Sequence, residues 1–506
     1  MSLTGSDQSF NVAERFLDGQ DGRRTALLTQ DGPTSYDELR AQVNRAGNAL
    51  RALGAGRGDR VLIALRDGVE YVATWFAAQR IGAVTVEVYN FLGTGDYRYY
   101  LDYLKPKVVV ADVGTAPKLR EAGAREIVVV GAEPGELAPG EHHFETLVAK
   151  LPPVLDAVHV DGDDEAIWKL TSGSTGKPKA CRLTARSPWL SFQWYARTAL
   201  GISEDDVVLP VPKLFFGYAR DLVALFPLGV GGTGILFPER STADTIFDLV
   251  ERYRPTILVN VPTMMKAMLE HPGAGGKDLS SLRFVTSAGE HLPPDLHRRW
   301  LDTFGVEVID GIGSSEAYHG YITNRPGESR VGTLGKVVPG YRARVVDDGG
   351  KALPDGEVGV LEVSGEPVAL GYYRSPEKSA ATFPAEHTVR SGDLFTRDED
   401  GYFHYRGRAD DLLKVGGVWV APVEIENCLA THPAVEACAV VGYEDGGLTR
   451  SRAYVVVSDP VEAAELQRYV RERLAPYKYP RDIRFVDALP ETPSGKVDRG
   501  RLRDAA

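Results

Sequence analysis

The chain has 506 residues, with 58 Lys and Arg against 70 Asp and Glu and a formal net charge of −12. This length exceeds what one compact core supports, so two or more domains are expected. The acidic balance argues against a general nucleic-acid surface or an anionic-membrane surface. The opening "MSLTGSDQSFNVAERF" has no basic stretch followed by an apolar one, so no signal peptide is read there. Cys181, Cys428 and Cys438 show no CxxC spacing and are too few for a disulfide framework, which points to a reducing cytoplasm.

The first helix is predicted in "SYDELRAQVNRAGNALRALG", which opens on a capping box of Ser35 and Glu38. Its Leu39, Val43, Ala46, Leu50 and Leu53 share one helical face. The strand "RVLIAL" (Arg60–Leu65) follows, and "KVVVAD", "EIVVVG", "TILVNV", "LRFVTSAG" and "VEVIDGIG" repeat the strand pattern between helical stretches. Short β-branched runs separated by helices predict an α/β fold of layered, largely parallel sheets. The uncharged run Leu222–Pro238 is broken by Pro227 and four glycines, so it reads as a buried strand-turn-strand and not a membrane span. From about Gly335 the pattern becomes hairpin-rich, with Asp-Gly turns, which predicts a β-rich subdomain. A fresh α+β unit begins after "YRGRADDLLKVGG", giving expected domains of 1–409 and 410–506.

The stretch "LTSGSTGKPKA" (Leu170–Ala180) is rich in glycine, hydroxyls and lysine, a composition suited to anions. It is not a Walker loop, because Pro178 follows Gly176-Lys177 and Thr171 stands where the first glycine belongs. By itself it reads equally as a phosphate loop or as a surface turn.

With its surroundings, "TSGSTGKPK" resembles the signature of the adenylate-forming superfamily of acyl- and aryl-CoA ligases, non-ribosomal adenylation domains and luciferases. "TSAGEHLPP", "DGIGSSEAYH", "SGDLF", "GRADDLLKVGG" and "PETPSGKVDR" follow in the family's order, across nearly the whole chain. The resemblance implies a large N-terminal domain with a small mobile C-terminal lid. It also implies ATP, Mg²⁺ and coenzyme A as reaction partners. Ser172, Gly173, Ser174, Thr175, Gly176 and Lys177 would then cradle phosphates, with Thr171 also at the nucleotide. Ser287, Ala288, Gly289 and Glu290, with Asp310, Gly311, Ile312 and Gly313, would frame the adenine, and Ser314 and Ser315 would also meet the nucleotide. Asp393, beside Arg408, would accept from the ribose hydroxyls, as an acceptor-only carboxylate can. Glu316 and Thr175 would hold Mg²⁺, and Lys496 would bridge the acid and the α-phosphate. Asp410 matches the hinge position, and Gly416 and Gly417 would line the tunnel for the thiol.

Within the superfamily, "KLFFGYARDLVALFPLGVGGT", "DGIGSSEAYHGYITNRPG", "GKVVPGY" and "APYKYPR" are most similar to benzoate-CoA ligase and its relatives. The resemblance implies an aryl pocket at Phe216, Gly217, Tyr218, Ile312, Gly313 and His319. Gly217 stands where alanine is expected, freeing about a methyl of space, roughly 1 kcal/mol in shape discrimination. A benzoate, and more particularly a hydroxylated or aminated one, is therefore the expected acid. "ACRLTARS" (Ala180–Ser187) departs from the family pattern, lacking its two histidines. The expected partners are small molecules, with no nucleic acid and no membrane, and with pairing into a homodimer left open. An aryl-AMP ligase that passes the acyl group to a carrier protein is the alternative to a CoA ligase.

Overall fold

The computed structural model describes residues 9–171, 178–411, 413–415, 418–445, 448–475, 478–492 and 497–504. The predicted first helix spans Tyr36–Ala52, and both halves of its capping box are formed. Ser35 Oγ accepts from the Glu38 amide at 3.3 Å, and Glu38 Oε2 accepts from the Ser35 amide at 2.8 Å. Two otherwise unmatched amides at the helix start are thereby satisfied. Leu39, Val43, Ala46 and Leu50 are buried along the predicted face.

Among the described residues, a first sheet of seven strands runs Lys179–Thr184, Glu165–Thr171, Val84–Glu87, Arg60–Ala64, Val108–Asp112, Ile127–Val130 and Glu141–His143. All its neighbours are parallel except Glu165–Thr171 with Lys179–Thr184. Its central strands are continuous β-branched runs, as parallel strands covered on both faces require. A second sheet of nine strands has a parallel centre of Thr25–Thr29, Thr233–Ile235, Val207–Pro210, Ile257–Asn260, Phe284–Ser287 and Val308–Gly313. The hairpin-rich region forms a four-stranded antiparallel sheet from Arg342 to Arg408.

Leu222–Pro238 is not the strand-turn-strand that its apolar run suggested. Helix Gly217–Ala224 runs into it, a 3₁₀ turn covers Leu228–Val230, and only Thr233–Ile235 is strand. A short run that is apolar on every side carries no period by which helix and strand can be told apart. Pro227 closes the helical part, and Gly231, at φ 82°, supplies the left-handed residue that turns the chain into the strand.

A 3₁₀ turn at Ala409–Asp411 precedes the C-terminal unit. That unit pairs Val435–Asp445 with Leu448–Val457 and adds Asp482–Phe485 in parallel. Helices Pro422–Leu429 and Ala463–Arg473 pack on it around a separate apolar core of Ile425, Leu429, Val440, Val455 and Val470. The large layered α/β part and the small α+β part thus follow the expected fold class. No helix among the described residues is long and apolar enough to cross a membrane.

Candidate active site

In parallel sheets, ligands gather beyond the carboxyl ends of the strands, and two of the predicted segments, after Phe284–Ser287 and at the end of Val308–Gly313, stand there. Phe284–Ser287 and Val308–Gly313 run in register with Ser287 opposite Asp310, so the two adenine-frame segments emerge side by side. Ser287 and Asp310 are buried, and burial pushes the Asp310 carboxyl well above the ordinary carboxylate range.

Ala288, Gly289 and the run Gly311–Ser315 line one side of a cavity of about 250 Å³. Phe216, Gly217, Tyr218 and His319 line the rest, together with Tyr89, Phe215, Tyr195, Lys169 and Arg220. The nucleotide frame and the aryl pocket expected from sequence therefore share one continuous space. On its aromatic wall Tyr89 and Phe215 meet edge-on, at 4.8 Å between centroids. The flat apolar walls suit an aromatic ring.

The floor of this cavity is charged, which sequence reasoning missed. Lys169 Nζ donates to Asp221 Oδ2 at 3.0 Å and to the Tyr318 carbonyl at 2.6 Å. Asp221 Oδ1 accepts from Arg220 at 2.6 and 2.9 Å, and Arg220 also pairs with Glu87. Trp75 Nε1 donates to Glu87 Oε1 at 2.6 Å. All four charged side chains are buried. Burial would raise the Asp221 carboxyl, but the Arg220 guanidinium and the Lys169 ammonium outweigh it and hold the group below its ordinary value. Burial draws the Lys169 ammonium down to about 8, opposed by Asp221. The signal was present in the sequence as a lysine inside the strand-like "AIWKL" and an Arg-Asp pair inside an apolar helix.

Gly217 does not leave the empty space inferred from sequence. A Cβ at this position would stand 2.8 Å from Lys169 Nζ and 2.9 Å from its Cε, so the lysine occupies the room that alanine would have taken.

His319 is buried against Tyr195 at 4.9 Å and Phe226 at 5.1 Å. Burial lowers its pKa to about 4, so the imidazole is neutral at pH 7. Nε2 faces the Tyr218 carbonyl at 3.3 Å and must carry the proton, which leaves Nδ1 a bare acceptor with no partner among the described residues. A neutral ring does not pair with a carboxylate as a cation would, which leaves ring substituents as its expected targets. The preceding Tyr318 has φ 71° and ψ −59°, and the His319 amide donates to the Ala317 carbonyl at 3.0 Å. This is a γ-turn of the rare, strained form, and Lys169 holds its carbonyl. Tyr218 Oη donates to Thr286 Oγ1 at 2.7 Å, which fixes the ring at the cavity wall.

Asp393 and Arg408 face each other across adjacent strands, Oδ1 to Nη1 at 3.5 Å. Glu316 sits on the turn Ser315–Ala317, where its Oε1 accepts from Tyr372 Oη at 2.8 Å. Magnesium is commonly bound by one or two carboxylates together with substrate phosphates. An oriented carboxylate oxygen of this kind fits that donor set, although no cluster of three ligating side chains occurs among the described residues. Glu290 is turned elsewhere, its Oε2 accepting from the Thr263 amide at 3.0 Å and Oγ1 at 2.7 Å. Ser172–Lys177 (with Thr175), Gly416, Gly417 and Lys496, and the side chain of Asp410, lie outside what the structure describes. Thr171 pairs with Lys179 immediately before and after the phosphate segment. The departing "ACRLTARS" runs from the edge strand Lys179–Thr184 into the next helix, with Arg182 paired to Glu165 at 2.9 Å.

Residues 14–373 match the AMP-binding enzyme family, and 424–496 match the AMP-binding enzyme C-terminal domain. The chain belongs to this family of adenylate-forming enzymes. It is 40% identical to the benzoate–CoA ligase of Thauera aromatica, over 98% of this chain and 95% of the relative. It is 37% identical to the 4-hydroxybenzoate–CoA/benzoate–CoA ligase of Rhodopseudomonas palustris, over 98% and 94%. The crystal structure of the anthranilate CoA ligase AuaEII in complex with anthranoyl-AMP superposes with a TM-score of 0.93 at 35% identity, covering 98% of this chain and 97% of that one.

Proposed function

We infer that the protein joins an aryl carboxylate to the α-phosphorus of ATP, releasing pyrophosphate, and passes the aryl group from the aryl-AMP to the thiol of CoA, releasing AMP. The observation that carries this reading is one cavity lined both by aromatic side chains and by Ala288, Gly289 and Gly311–Ser315, the segments expected at the nucleotide. Relatives named as benzoate and hydroxybenzoate CoA ligases support the acid and the thiol.

In this reading the chain concentrates positive charge where two anions must meet. The segment 171–177 and Lys496 supply that charge. Glu316, with Thr175, would hold Mg²⁺, which would supply charge shielding for the phosphates. The slot orients the carboxylate toward the α-phosphorus and excludes water from the activated acid. Residues 410–506 act as a lid that turns about Asp410 after adenylation, bringing Gly416 and Gly417 to the thiol path. A cytoplasmic setting agrees with three free thiols, Cys181, Cys428 and Cys438.

ATP–pyrophosphate exchange across a panel of aryl acids tests the first step, and mass detection of an aryl thioester after adding CoA tests the second. AMP release with no thioester would move the reading to an aryl-AMP ligase serving a carrier protein. Exchange with no aryl acid would end it.

Asp393→Ala removes the acceptor proposed for the ribose hydroxyls. It should raise KM for ATP by roughly tenfold or more, as expected for loss of a charged hydrogen-bond partner. KM for the acid should change little. Initial rates at varied ATP and at varied acid separate the two effects, and equal changes in both would refute the ribose assignment.

A further inference from the structure

We propose that Lys169 determines which aryl acid is accepted, by donating a hydrogen bond to an oxygen substituent on the ring edge remote from the carboxylate, so that the preferred substrate is a hydroxylated aryl acid. This rests on the aryl-acid reading above and narrows it.

Lys169 is buried, yet it lines the cavity. Its ammonium has three N–H donors. Two are used, on Asp221 Oδ2 and the Tyr318 carbonyl, the centre of the Tyr318 ring lies 3.9 Å from Nζ, and no third hydrogen-bond acceptor is found among the described residues. A buried N–H with no hydrogen-bond acceptor is costly, and a substrate oxygen at that point offsets the cost. Gly217 belongs to the same device, since any β-carbon there would meet Nζ at 2.8 Å. A side chain at 217 would force the tip of this lysine to shift.

The surrounding charges specify the kind of oxygen. Lys169 and Arg220 are balanced by Asp221 and Glu87, all within one buried, paired network. A second carboxylate on the substrate would leave the floor with excess negative charge, whereas a neutral hydroxyl leaves the balance intact. The hydroxyl proton also has a taker in the unpartnered Nδ1 of His319, on the wall of the same cavity. A ring amine would satisfy that acceptor but would set N–H against the N–H of Lys169.

Position follows from the strand. Lys169 lies two residues before Thr171 in Glu165–Thr171, hence roughly 6–7 Å further from the phosphate segment. An acid whose carboxylate points to the phosphates therefore presents its far edge to Lys169.

The test compares kcat/KM in ATP–pyrophosphate exchange for benzoate, 3- and 4-hydroxybenzoate and 3- and 4-aminobenzoate. The wild-type protein should favour one hydroxybenzoate over benzoate and over the matching amine by at least about tenfold. Lys169→Met should lower the hydroxybenzoate-to-benzoate ratio by roughly 10- to 100-fold. Losing the hold on Tyr318 would depress every acid alike, so the ratio is the quantity that reports recognition. Gly217→Ala, which crowds Nζ without deleting it, should shift the ratio in the same direction and decides the matter if Lys169→Met does not fold. A ratio unchanged in the folded variants, or a wild-type preference for benzoate or an amine, overturns the proposal and leaves the aryl-acid reading standing. Absence of exchange with every acid in the wild-type protein overturns both.

Discussion

Lys496→Ala should reduce ATP–pyrophosphate exchange by at least about a hundredfold while leaving the Kd for ATP within a few-fold. Adenylation brings a carboxylate against a phosphate that is already negative, and the charge that develops in the transition state is shared between the attacking and bridging oxygens. A lysine that contacts both groups acts most strongly at that point and less in the ground state, so its loss falls on kcat and not on nucleotide binding. Lys496 lies outside the described residues, but its surroundings are anchored. Glu491 bridges to Val497, the Asp498 amide donates to the Pro490 carbonyl at 2.7 Å, and Arg499 pairs with both oxygens of Glu426 at 2.6 and 2.9 Å. Isothermal titration with ATP beside the exchange assay checks the expectation. An unchanged exchange rate removes Lys496 from the chemistry.

Asp221→Ala should destabilise the protein by about 3–5 kcal/mol, read as a lower urea midpoint, because it leaves two buried cations with one carboxylate between them. Asp221→Asn keeps the shape and one acceptor oxygen, so it should fall between the alanine variant and the wild type. The sign of the pH effect follows from the direction of the shift. Asp221 is held below the ordinary carboxylate range in the folded protein. Its contribution is therefore present above the unfolded pKa of about 4 and is lost as pH falls through the lower folded value. The alanine variant should lack that part of the acid-unfolding profile. If its urea midpoint matched the wild type, the network would carry no net stability and the account of the cavity floor would need revision.

Sheet and helix order were legible because parallel strands buried on both faces leave unmistakable β-branched runs, as in "KVVVAD" and "TILVNV". Leu222–Pro238 was misread because an evenly apolar stretch offers no period. The family could be read from motif order, since close backbone approach to a phosphate demands glycines and hydroxyls at set spacings, and two of those motifs line the cavity. The aryl end was legible only in outline. Gly217 was noticed as a departure, but its consequence was taken as empty space.

By itself, then, the sequence determined the family and the layered α/β plan with a small C-terminal unit, because these depend on local backbone chemistry and on patterns carried within short segments. The tertiary structure alone decided what lies at the bottom of the aryl slot. Glu87, Lys169, Arg220 and Asp221 come from three separate elements, the strands Val84–Glu87 and Glu165–Thr171 and the helix Gly217–Ala224. A buried lysine acquires its meaning from the carboxylate, the turned carbonyl and the glycine packed around it, and that arrangement exists only once the chain has folded.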